Sequence, residues 1–377
     1  MKILIAGDFC DKYRVTDAIS HRNFGLMFDD IVGVVSQADY SIVNFEFPIV
    51  NDSAIAIKKC GPNLSGQESS VEAIKYAGFK CCTLANNHIL DYGEDSGLNT
   101  KAIIESKGLD TVGFGADSND AATVLYKTIG GEMLAIINCC EHEFSVATKK
   151  SAGANALNPI KQYYKIKEAK EKADYVLVIV HGGHEMHQLP SPRMKDIYRF
   201  FIDSGADAVV NHHQHCFSGY EIYNQKPIFY GLGNFLFDAQ SLRHSIWNNG
   251  FMVELTFTKN ASPQYVLCPY TQCDETPSVQ LLNEAQKLDF ENEIDGLNVI
   301  IRDDKLLHEA TGEYYMKCVS SEMGLLEPYA SRVSKKLFSL GLLPCFVRGN
   351  KLTAILNHID CESHRDKMIF ALKRKLK

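Results

Sequence analysis

Three histidines follow an apolar run near the middle of the chain. Residues 209–215 read Val-Val-Asn-His-His-Gln-His. Side chains two positions apart face the same side of an extended chain, so His213 and His215 can approach one centre. Packing gains little from such a cluster, because buried imidazoles need hydrogen-bond partners and repel one another when protonated. We therefore interpret this segment as metal-ligating.

A second polar cluster interrupts an apolar run at residues 84–93, which read Leu-Ala-Asn-Asn-His-Ile-Leu-Asp-Tyr-Gly. The pair Asn86 and Asn87 by itself is typical of a turn or a helix cap. The neighbouring His88 and Asp91 favour a chemical role instead. An amide oxygen can ligate a hard or borderline cation, and a histidine beside it can hold a phosphoryl oxygen or donate a proton to a leaving group.

A further histidine, His181, also ends an apolar run. Gly182 and Gly183 follow it, and they allow the backbone to approach a ligand closely. We interpret His181 as a candidate ligand. Loop geometry gives no reason for His184 and His187 to point inward, so we expect them at the surface or behind the ligands.

Two more strand ends supply oxygen donors. Asp8 follows the first apolar run, and Asn44 and Glu46 follow the second. Together with the imidazoles they form a mixed oxygen and nitrogen ligand set. Such a set suits Mn, Fe or Zn, as one ion or as a two-metal cluster that activates water.

The elements that must position these residues are short apolar runs alternating with amphipathic segments. The runs predict buried strands at residues 3–6, 40–45, 80–84, 134–138, 176–180, 208–210 and 228–230. Helical periodicity predicts helices at residues 69–77, 96–107 and 191–204. Such alternation predicts a layered α/β domain, in which functional groups gather where strands end and loops begin.

Length and composition predict one large domain with a smaller appendage. A chain of 377 residues exceeds the size at which a single core usually stops growing. Hydrophobic residues make up 45% of the chain and charged residues 23%, as in ordinary folded proteins. After residue 260 the sequence changes to a mixed region with Pro263, Pro269 and Pro277, and then to polar helical stretches. We therefore predict a catalytic domain over 1–260 and a mostly helical region over 261–377.

Net charge and the distribution of cysteines indicate which partners and which cellular compartment to expect. The net charge of −7 offers no broad basic field, so we expect no nucleic-acid partner. The 12 cysteines form no regular disulfide framework, and the N-terminal segment is not typical of a signal peptide, so we expect a cytoplasmic protein. The sequence ends in a group of basic residues, Lys373, Arg374, Lys375 and Lys377. Such a group is typical of a solvated helix terminus, and it is also compatible with contact to a membrane or a synthase.

Eight motifs occur in a fixed order over residues 1 to about 240. They are Gly7-Asp8, Asn44-Phe45-Glu46-Phe47-Pro48, Ala85-Asn86-Asn87-His88 with Asp91-Tyr92-Gly93, Gly113-Phe114-Gly115, His181-Gly182-Gly183 with Glu185, Gly205-Ala206-Asp207, His212-His213-Gln214-His215, and Tyr230-Gly231-Leu232-Gly233-Asn234-Phe235 with Asp238. In this order they resemble the bacterial CapA, or poly-gamma-glutamate capsule synthesis (PGA_cap), family. That family is related to calcineurin-like metallophosphoesterases.

The resemblance implies a four-layer α/β/β/α fold and a role for each motif residue. The implied metal ligands are Asp8, Glu46, Asn87, His181, His213 and His215. His88 resembles the catalytic histidine of the phosphoesterase Asn-His-Asp motif, with Asp91 beside it. The implied residues that support the ligands or contact the substrate are Cys10, Asn44, Asn86, Glu185, His212 and Asn234.

The sequence departs from the family pattern at several positions. Cys10 occupies the place of the histidine in the Asp-x-His motif, which implies an altered metal subsite. The usual Trp is Gly182, and the Gly and Pro of the histidine motif are Asn211 and Gln214. A Gln common in the following helix corresponds to Met194. These changes concern the substrate pocket more than the metal ligands.

Two functions are compatible with these motifs. The first is a metal-dependent enzyme that makes or processes a cell-surface polymer, by hydrolysing a phosphoester or by a biosynthetic step on a polyglutamate or glycan precursor. Its substrate would be anionic or phosphorylated. The second is a non-catalytic accessory protein that binds an anionic polymer or a synthase. Bound metal and turnover distinguish the two.

Overall fold

A computed structural model gives the structure of the chain. It describes every residue except 52, 330, 361, 376 and 377, and it leaves out the side chains of residues 320, 321, 324, 360, 362, 363, 366, 370 and 373–375. The chain divides into two compact units, Met1–His308 and Glu309–Lys377. The predicted boundary at residue 260 therefore differs from the division seen here.

The strands of the first unit are β1 (Lys2–Phe9), β2 (Tyr40–Phe45), β3 (Cys81–Thr83), β4 (Asp110–Val112), β5 (Phe114–Gly115), β6 (Leu125–Ile129), β7 (Glu132–Cys140), β8 (Gly153–Ala154), β9 (Tyr175–His181), β10 (Ala208–His212), β11 (Tyr220–Tyr223), β12 (Lys226–Phe229), β13 (Asn234–Leu236), β14 (Asn249–Thr256), β15 (Gln264–Gln272) and β16 (Val279–Leu281). Its helices are α1 (Arg14–Ser20), α2 (Phe24–Ser36), α3 (Ser69–Tyr76), α4 (Gly93–Ser106), α5 (Ser118–Ala121), α6 (Pro159–Lys172), α7 (Pro192–Ser204) and α8 (Glu284–Arg302). Helix α9 (Asp304–Leu326) spans the division between the units.

Two large sheets contain most of these strands. The first has the order β16-β15-β14-β1-β2-β3-β4, with β13 also paired to β1, and the second has the order β11-β12-β10-β9-β7-β6. Strands β1 to β4 run parallel, and so do β7, β9, β10 and β12. Parallel neighbours bring their carboxyl ends to the same edge of a sheet, where ligand sites usually form.

The two sheets share one core and are covered by helices on their outer faces. Ile5 and Ile42 of the first sheet and Leu177 and Val210 of the second belong to one buried apolar cluster. The opposite face of the first sheet packs with helices α1 to α4 in another cluster, and α6 and α7 contact the second sheet. Because both faces of each sheet are covered, the strands are continuous apolar runs. The four-layer α/β/β/α fold is confirmed.

The predicted strands and helices all occur, with shifted ends. The main difference lies after residue 260, where the sequence predicted a separate region. Strand β15 instead pairs antiparallel with β14 along its length, and β16 pairs with β15. Their prolines did not prevent pairing, since Pro269 lies opposite Phe251 in the ladder. Residues 264–281 therefore extend the first sheet.

The second unit is helical, as the sequence predicted. After α9 it contains α10 (Arg332–Ser339), α11 (Asn350–Asp360) and α12 (Glu362–Lys375). Within the described part of the chain, no helix combines the length and the apolar character needed to cross a bilayer. Of the basic end singled out in the sequence, Lys377 and the side chains of residues 373–375 lie outside the described structure.

Candidate metal centre

The predicted ligands meet where the parallel strands of the two sheets end. In the first sheet, Asp8 of β1 lies opposite Asn44 of β2 and Asn234 of β13. In the second sheet, His181 ends β9 opposite His212 of β10. All five residues are buried. The strand ends therefore bring residues from both sheets to one enclosed site.

Ligand atoms converge in three overlapping groups, each with its members within 4.8 Å of one another. The groups are Glu46 with His181 and His213, Glu185 with His213 and His215, and Asp8 with Glu46 and His215. Glu46, His213 and His215 each belong to two groups. An arrangement that shares ligands in this way can hold two neighbouring cations.

Glu46 gives the sharpest test of whether a cation fits. Its side chain is fully buried, and neither carboxylate oxygen has a hydrogen-bond partner among the described residues. Burial and the charge of Asp8 raise the pKa of this carboxyl well above its ordinary value. The nearest imidazole nitrogens, Nε2 of His181 and of His215, lie 3.6 and 3.8 Å from Oε1. An isolated buried carboxylate is costly, and a divalent cation would satisfy it.

The three imidazoles are held in the neutral form that binds metals. Burial lowers the pKa of His181 well below its ordinary value, and it also lowers the pKa of His213. Burial lowers the pKa of His215 to about 4. Nε2 of His181 lies 3.1 Å from Nδ1 of His213. Close neutral imidazoles facing buried carboxylates form a ligand set suited to Mn, Fe or Zn.

Two asparagines orient the ligands from behind. Nδ1 of His215 lies 2.9 Å from Oδ1 of Asn234. This hydrogen bond makes Nδ1 the donor and leaves Nε2 free to bind a cation. Asn44 donates to Oδ1 of Asp8 at 2.7 Å. The sequence assigned Asn44 and Asn234 to support the ligands, and that assignment stays a prediction; the structure shows their contacts with Asp8 and His215.

The histidine segment has an unusual backbone. His213 has a φ of 91° and His215 a φ of 56°. Residues other than glycine rarely adopt such angles, and they do so mostly at sites that the surrounding structure holds firmly. One restraint is the His213 amide, which donates to Oδ2 of Asp8 at 3.1 Å. The strained turn points alternate imidazoles into the site.

His88 lies beside the ligands and has its own carboxylate partner. Its Nδ1 is 2.6 Å from Oδ2 of Asp91, which is buried and also accepts from the Leu64 amide. Lys59 forms an ion pair with Asp91 and lies 3.2 Å from Nδ1 of His88. Since Nδ1 is committed to these partners, Nε2 is the ring nitrogen available to a substrate.

The turn that carries His88 is built by its two asparagines. Asn86 accepts from the His88 amide at 3.1 Å and donates to the Phe45 carbonyl at 2.9 Å. Asn87 places Oδ1 3.0 Å from Nε2 of His181. Asn86 therefore shapes the turn, and the Asn87 amide oxygen faces His181. The assignment of Asn87 as a metal ligand stays a prediction.

A cavity of about 660 Å³ opens beside the centre. His88, Glu185 and His215 form part of its wall, and Lys12 and Trp247 lie on the same wall. The ring of Trp247 packs 4.9 Å from the ring of His215. The cavity gives a substrate access to both the ligand cluster and His88.

The comparison with protein families shows to which family the chain belongs. The family described as "Bacterial capsule synthesis protein PGA_cap" matches residues 2–239. The chain belongs to the PGA_cap family. The match ends just after the strand that carries Asn234, so it includes every predicted site residue.

Curated relatives of this PGA_cap protein agree with the assignment. It is 32% identical to the capsule biosynthesis protein CapA of Bacillus anthracis, over 63% of this chain and 60% of that protein. It is 29% identical to the PGA biosynthesis protein CapA of Bacillus subtilis, over 72% of each chain. The chain thus spans less than two thirds of the length of the Bacillus anthracis relative. Among solved structures, the 5'-nucleotidase precursor of Thermus thermophilus aligns with a TM-score of 0.45 at 9% identity, over 80% of this chain and 60% of that one.

Cys10 and His212 of the PGA_cap protein, which the sequence assigned to support the ligands or contact the substrate, belong to none of the three ligand groups in the described structure. Cys10 is buried among apolar side chains between the first sheet and its helices, and burial raises the pKa of its thiol well above the ordinary value. Its position therefore keeps the thiol protonated. His212 ends β10 and is buried beside the site, but in the described structure it joins none of the three ligand groups.

Two residues at the site were not among the sequence-based candidates. Lys59 comes from the loop between β2 and α3 and has no motif around it. Glu143 follows β7, receives a hydrogen bond from Asn87 at 3.1 Å, and places Oε1 3.6 Å from Nε2 of His213. Its position after an apolar strand is the signal that identified the other candidate ligands, so the same rule applied to residues 141–143 would have found it.

Proposed function

We propose that this PGA_cap protein is a metal-dependent hydrolase that acts on a phosphoester during the synthesis or processing of a capsule or other cell-surface polymer. The observation that carries the proposal is the buried Glu46 carboxylate. It faces two imidazoles, and no described residue donates a hydrogen bond to it. A divalent cation is the partner that this carboxylate fits best.

The residues of the centre would have separate tasks. Asp8, Glu46, His181, His213 and His215 would hold one or two cations, with Asn87 at the edge. When bound, such a cation polarises a phosphoryl oxygen and lowers the pKa of water. His88 would act as the proton donor to the leaving oxygen through Nε2, because Asp91 fixes its other nitrogen.

The cavity beside the centre favours an anionic substrate. Lys12 on the cavity wall supplies a positive charge, and Trp247 supplies an aromatic surface. His88 reaches the same space as the ligand His215. A phosphorylated group on a polymer precursor would bring its negative charges to the cations and to Lys12, with an apolar part against Trp247.

The proposal is tested by metal analysis followed by activity assays on the full chain. The purified protein is stripped with a chelator and reloaded separately with Mn²⁺, Fe²⁺ and Zn²⁺. Its metal content is then measured by mass spectrometry. Hydrolysis of p-nitrophenyl phosphate and bis-p-nitrophenyl phosphate is followed for each form. We expect one or two bound ions and hydrolysis of at least one ester with at least one metal.

The Glu46→Gln variant is the matched control, because it keeps the shape of the side chain and removes its charge. We expect it to lose both metal and activity. If the native chain binds no metal and hydrolyses neither ester, the alternative of a non-catalytic accessory protein replaces the proposal. Metal binding without turnover would support the centre and contradict the hydrolase.

A further inference from the structure

Charge is distributed very unevenly along the chain. Residues 328–377, which we call the basic segment, contain 11 Lys and Arg against 3 Asp and Glu, a net charge of +8. The whole chain has a net charge of −7, so the other 327 residues carry −15. A strong asymmetry of this kind marks a segment that meets an anionic partner.

The basic segment also exposes large apolar side chains. Val333 of α10 is 69% exposed, and Leu342 and Phe346 of the following loop are 65% and 54% exposed. Further exposed apolar side chains in the segment are Leu340, Leu352, Leu356, Ile359, Met368, Ile369 and Leu372. A concentration of exposed apolar groups of this size indicates an interaction surface rather than an ordinary solvated one.

Helix α11 shows how the apolar groups are arranged. Leu352, Ile355, Leu356 and Ile359 follow the spacing of one face of a helix. Three of these four side chains are exposed, and Ile355 is half-buried. The face is therefore formed but largely uncovered.

The loop before α11 is held so that its apolar side chains project outward. Glu327 is buried, and its carboxylate accepts from the backbone amides of Phe346 and Val347 at 2.9 Å each. The hydroxyl of Tyr329 donates to the Pro344 carbonyl at 2.5 Å. Hydrogen bonds between the loop backbone and the Glu327 and Tyr329 side chains thus fix the loop, while the Phe346 ring stays exposed.

We propose that the basic segment binds the surface of a bilayer that contains anionic lipid, with its helices in the plane of the interface. Lys335 and Lys336 of α10 and Lys351 of α11 are exposed and would meet the headgroups. The exposed leucines and Phe346 would enter the boundary between headgroups and acyl chains. A soluble polyanion would satisfy only the charges, because it offers the apolar side chains no apolar phase. This inference is independent of the proposed hydrolase activity.

Vesicle flotation with the full chain tests the inference. The probes are vesicles of phosphatidylcholine alone and vesicles in which about one third of the lipid is phosphatidylglycerol. We expect the protein to float only with the anionic vesicles and to dissociate as sodium chloride is raised, since salt screens the attraction.

Two variants separate the contributions of charge and apolar contact. Combined Arg332→Glu, Lys335→Glu and Lys336→Glu should lower partitioning by at least about tenfold, and combined Leu342→Ser and Phe346→Ser should also lower it. The matched control reverses two exposed lysines of a turn in the first unit, Lys149→Glu and Lys150→Glu, and should bind as the native chain does. Circular dichroism confirms that each variant keeps its helices.

Three results would overturn the inference. Equal flotation with neutral and anionic vesicles would remove the role of charge. An equal loss in the control variant would show that the effect is not local. Binding of soluble polyglutamate through the same lysines, without flotation, would assign the segment to an acidic polymer instead.

Discussion

His215 and His88 border the same cavity, but their partners differ. His215 belongs to two ligand groups, and Asn234 holds its Nδ1. We expect His215→Ala to lower metal content by at least about tenfold, because it removes a direct ligand, and to lower activity in parallel. Metal analysis after dialysis measures the change. The exposed His21→Ala serves as control, and full metal content in His215→Ala would contradict the assignment.

His88 contacts a carboxylate and a lysine rather than the ligand atoms. We therefore expect His88→Ala to retain its metal while kcat falls by about 10²- to 10⁴-fold, the usual contribution of a general acid. Metal content and steady-state kinetics on the same preparation provide the check. A loss of metal equal to that of His215→Ala would instead make His88 part of the ligand set.

Strands β1 and β13 approach so closely that only glycine fits at position 7. A Cβ added to Gly7 would lie 1.8 Å from the Gly233 carbonyl oxygen. Gly7→Ala must push apart the strands that carry Asp8 and Asn234, so we expect a loss of more than about 3 kcal/mol in the free energy of unfolding, with lower metal content. Denaturant unfolding measures the free energy of unfolding of Gly7→Ala and of its control, Gly33→Ala.

Gly33→Ala is the matched control for Gly7→Ala. Gly33 lies in α2, and an added Cβ would meet nothing within 4 Å. Alanine favours the helix over glycine by about 1 kcal/mol, so this variant should be as stable as the native chain or slightly more so. Equal destabilisation by the two changes would show that the close approach of β1 and β13 is not decisive.

The segment after β13 is tied to α1 by a buried carboxylate. Arg14 and Arg243 both donate to Asp238. Burial by itself would raise the pKa of Asp238, but the hydrogen bonds from both arginines outweigh it and hold the pKa below its ordinary value of 3.8. A lowered folded-state pKa stabilises the fold above pH 3.8, and the effect is lost as pH falls through the folded-state pKa.

Asp238→Asn should therefore lower the free energy of unfolding at pH 7 by about 1 to 3 kcal/mol. At a second pH, well below 3.8, the difference from the native chain should be smaller, because the native carboxyl protonates as pH falls through its lowered folded-state pKa. Urea unfolding at both pH values measures it, with Asp295→Asn on the exposed surface of α8 as control. A difference that is the same at both pH values would contradict the ionic account.

The strands, their buried character and the polar residues at their ends were predictable, because apolar periodicity and strand-end polarity are local signals. Lys59 was not, since it comes from an irregular loop and reaches Asp91 only in the folded chain. The role of Cys10 was also out of reach, because the sequence cannot tell on which side of β1 its thiol packs. Glu143 follows β7 and fits the same strand-end signal, so its position was predictable.

At the scale of the whole molecule, the pairing of β15 shows that the first unit continues beyond residue 260. The prolines suggested a boundary near residue 260, but non-local pairing overrides such composition signals. Strand β15 covers the edge of β14, and Tyr270 of β15 donates from its hydroxyl to the Asn234 carbonyl at 3.0 Å. The strand therefore supports the candidate metal centre as well as the sheet.

Two truncations test this division. A chain of residues 1–308 retains both sheets and all proposed ligands, so we expect cooperative unfolding and the same metal content and kcat as the full chain. A chain of residues 1–260 exposes the edge of β14 and removes the Tyr270 contact to Asn234, so it should aggregate or fail to bind metal. Thermal unfolding, light scattering and metal analysis compare the two. A folded, metal-binding 1–260 chain would restore the boundary that the prolines suggested, and loss of the centre from 1–308 would mean that residues 309–377 are needed to form it.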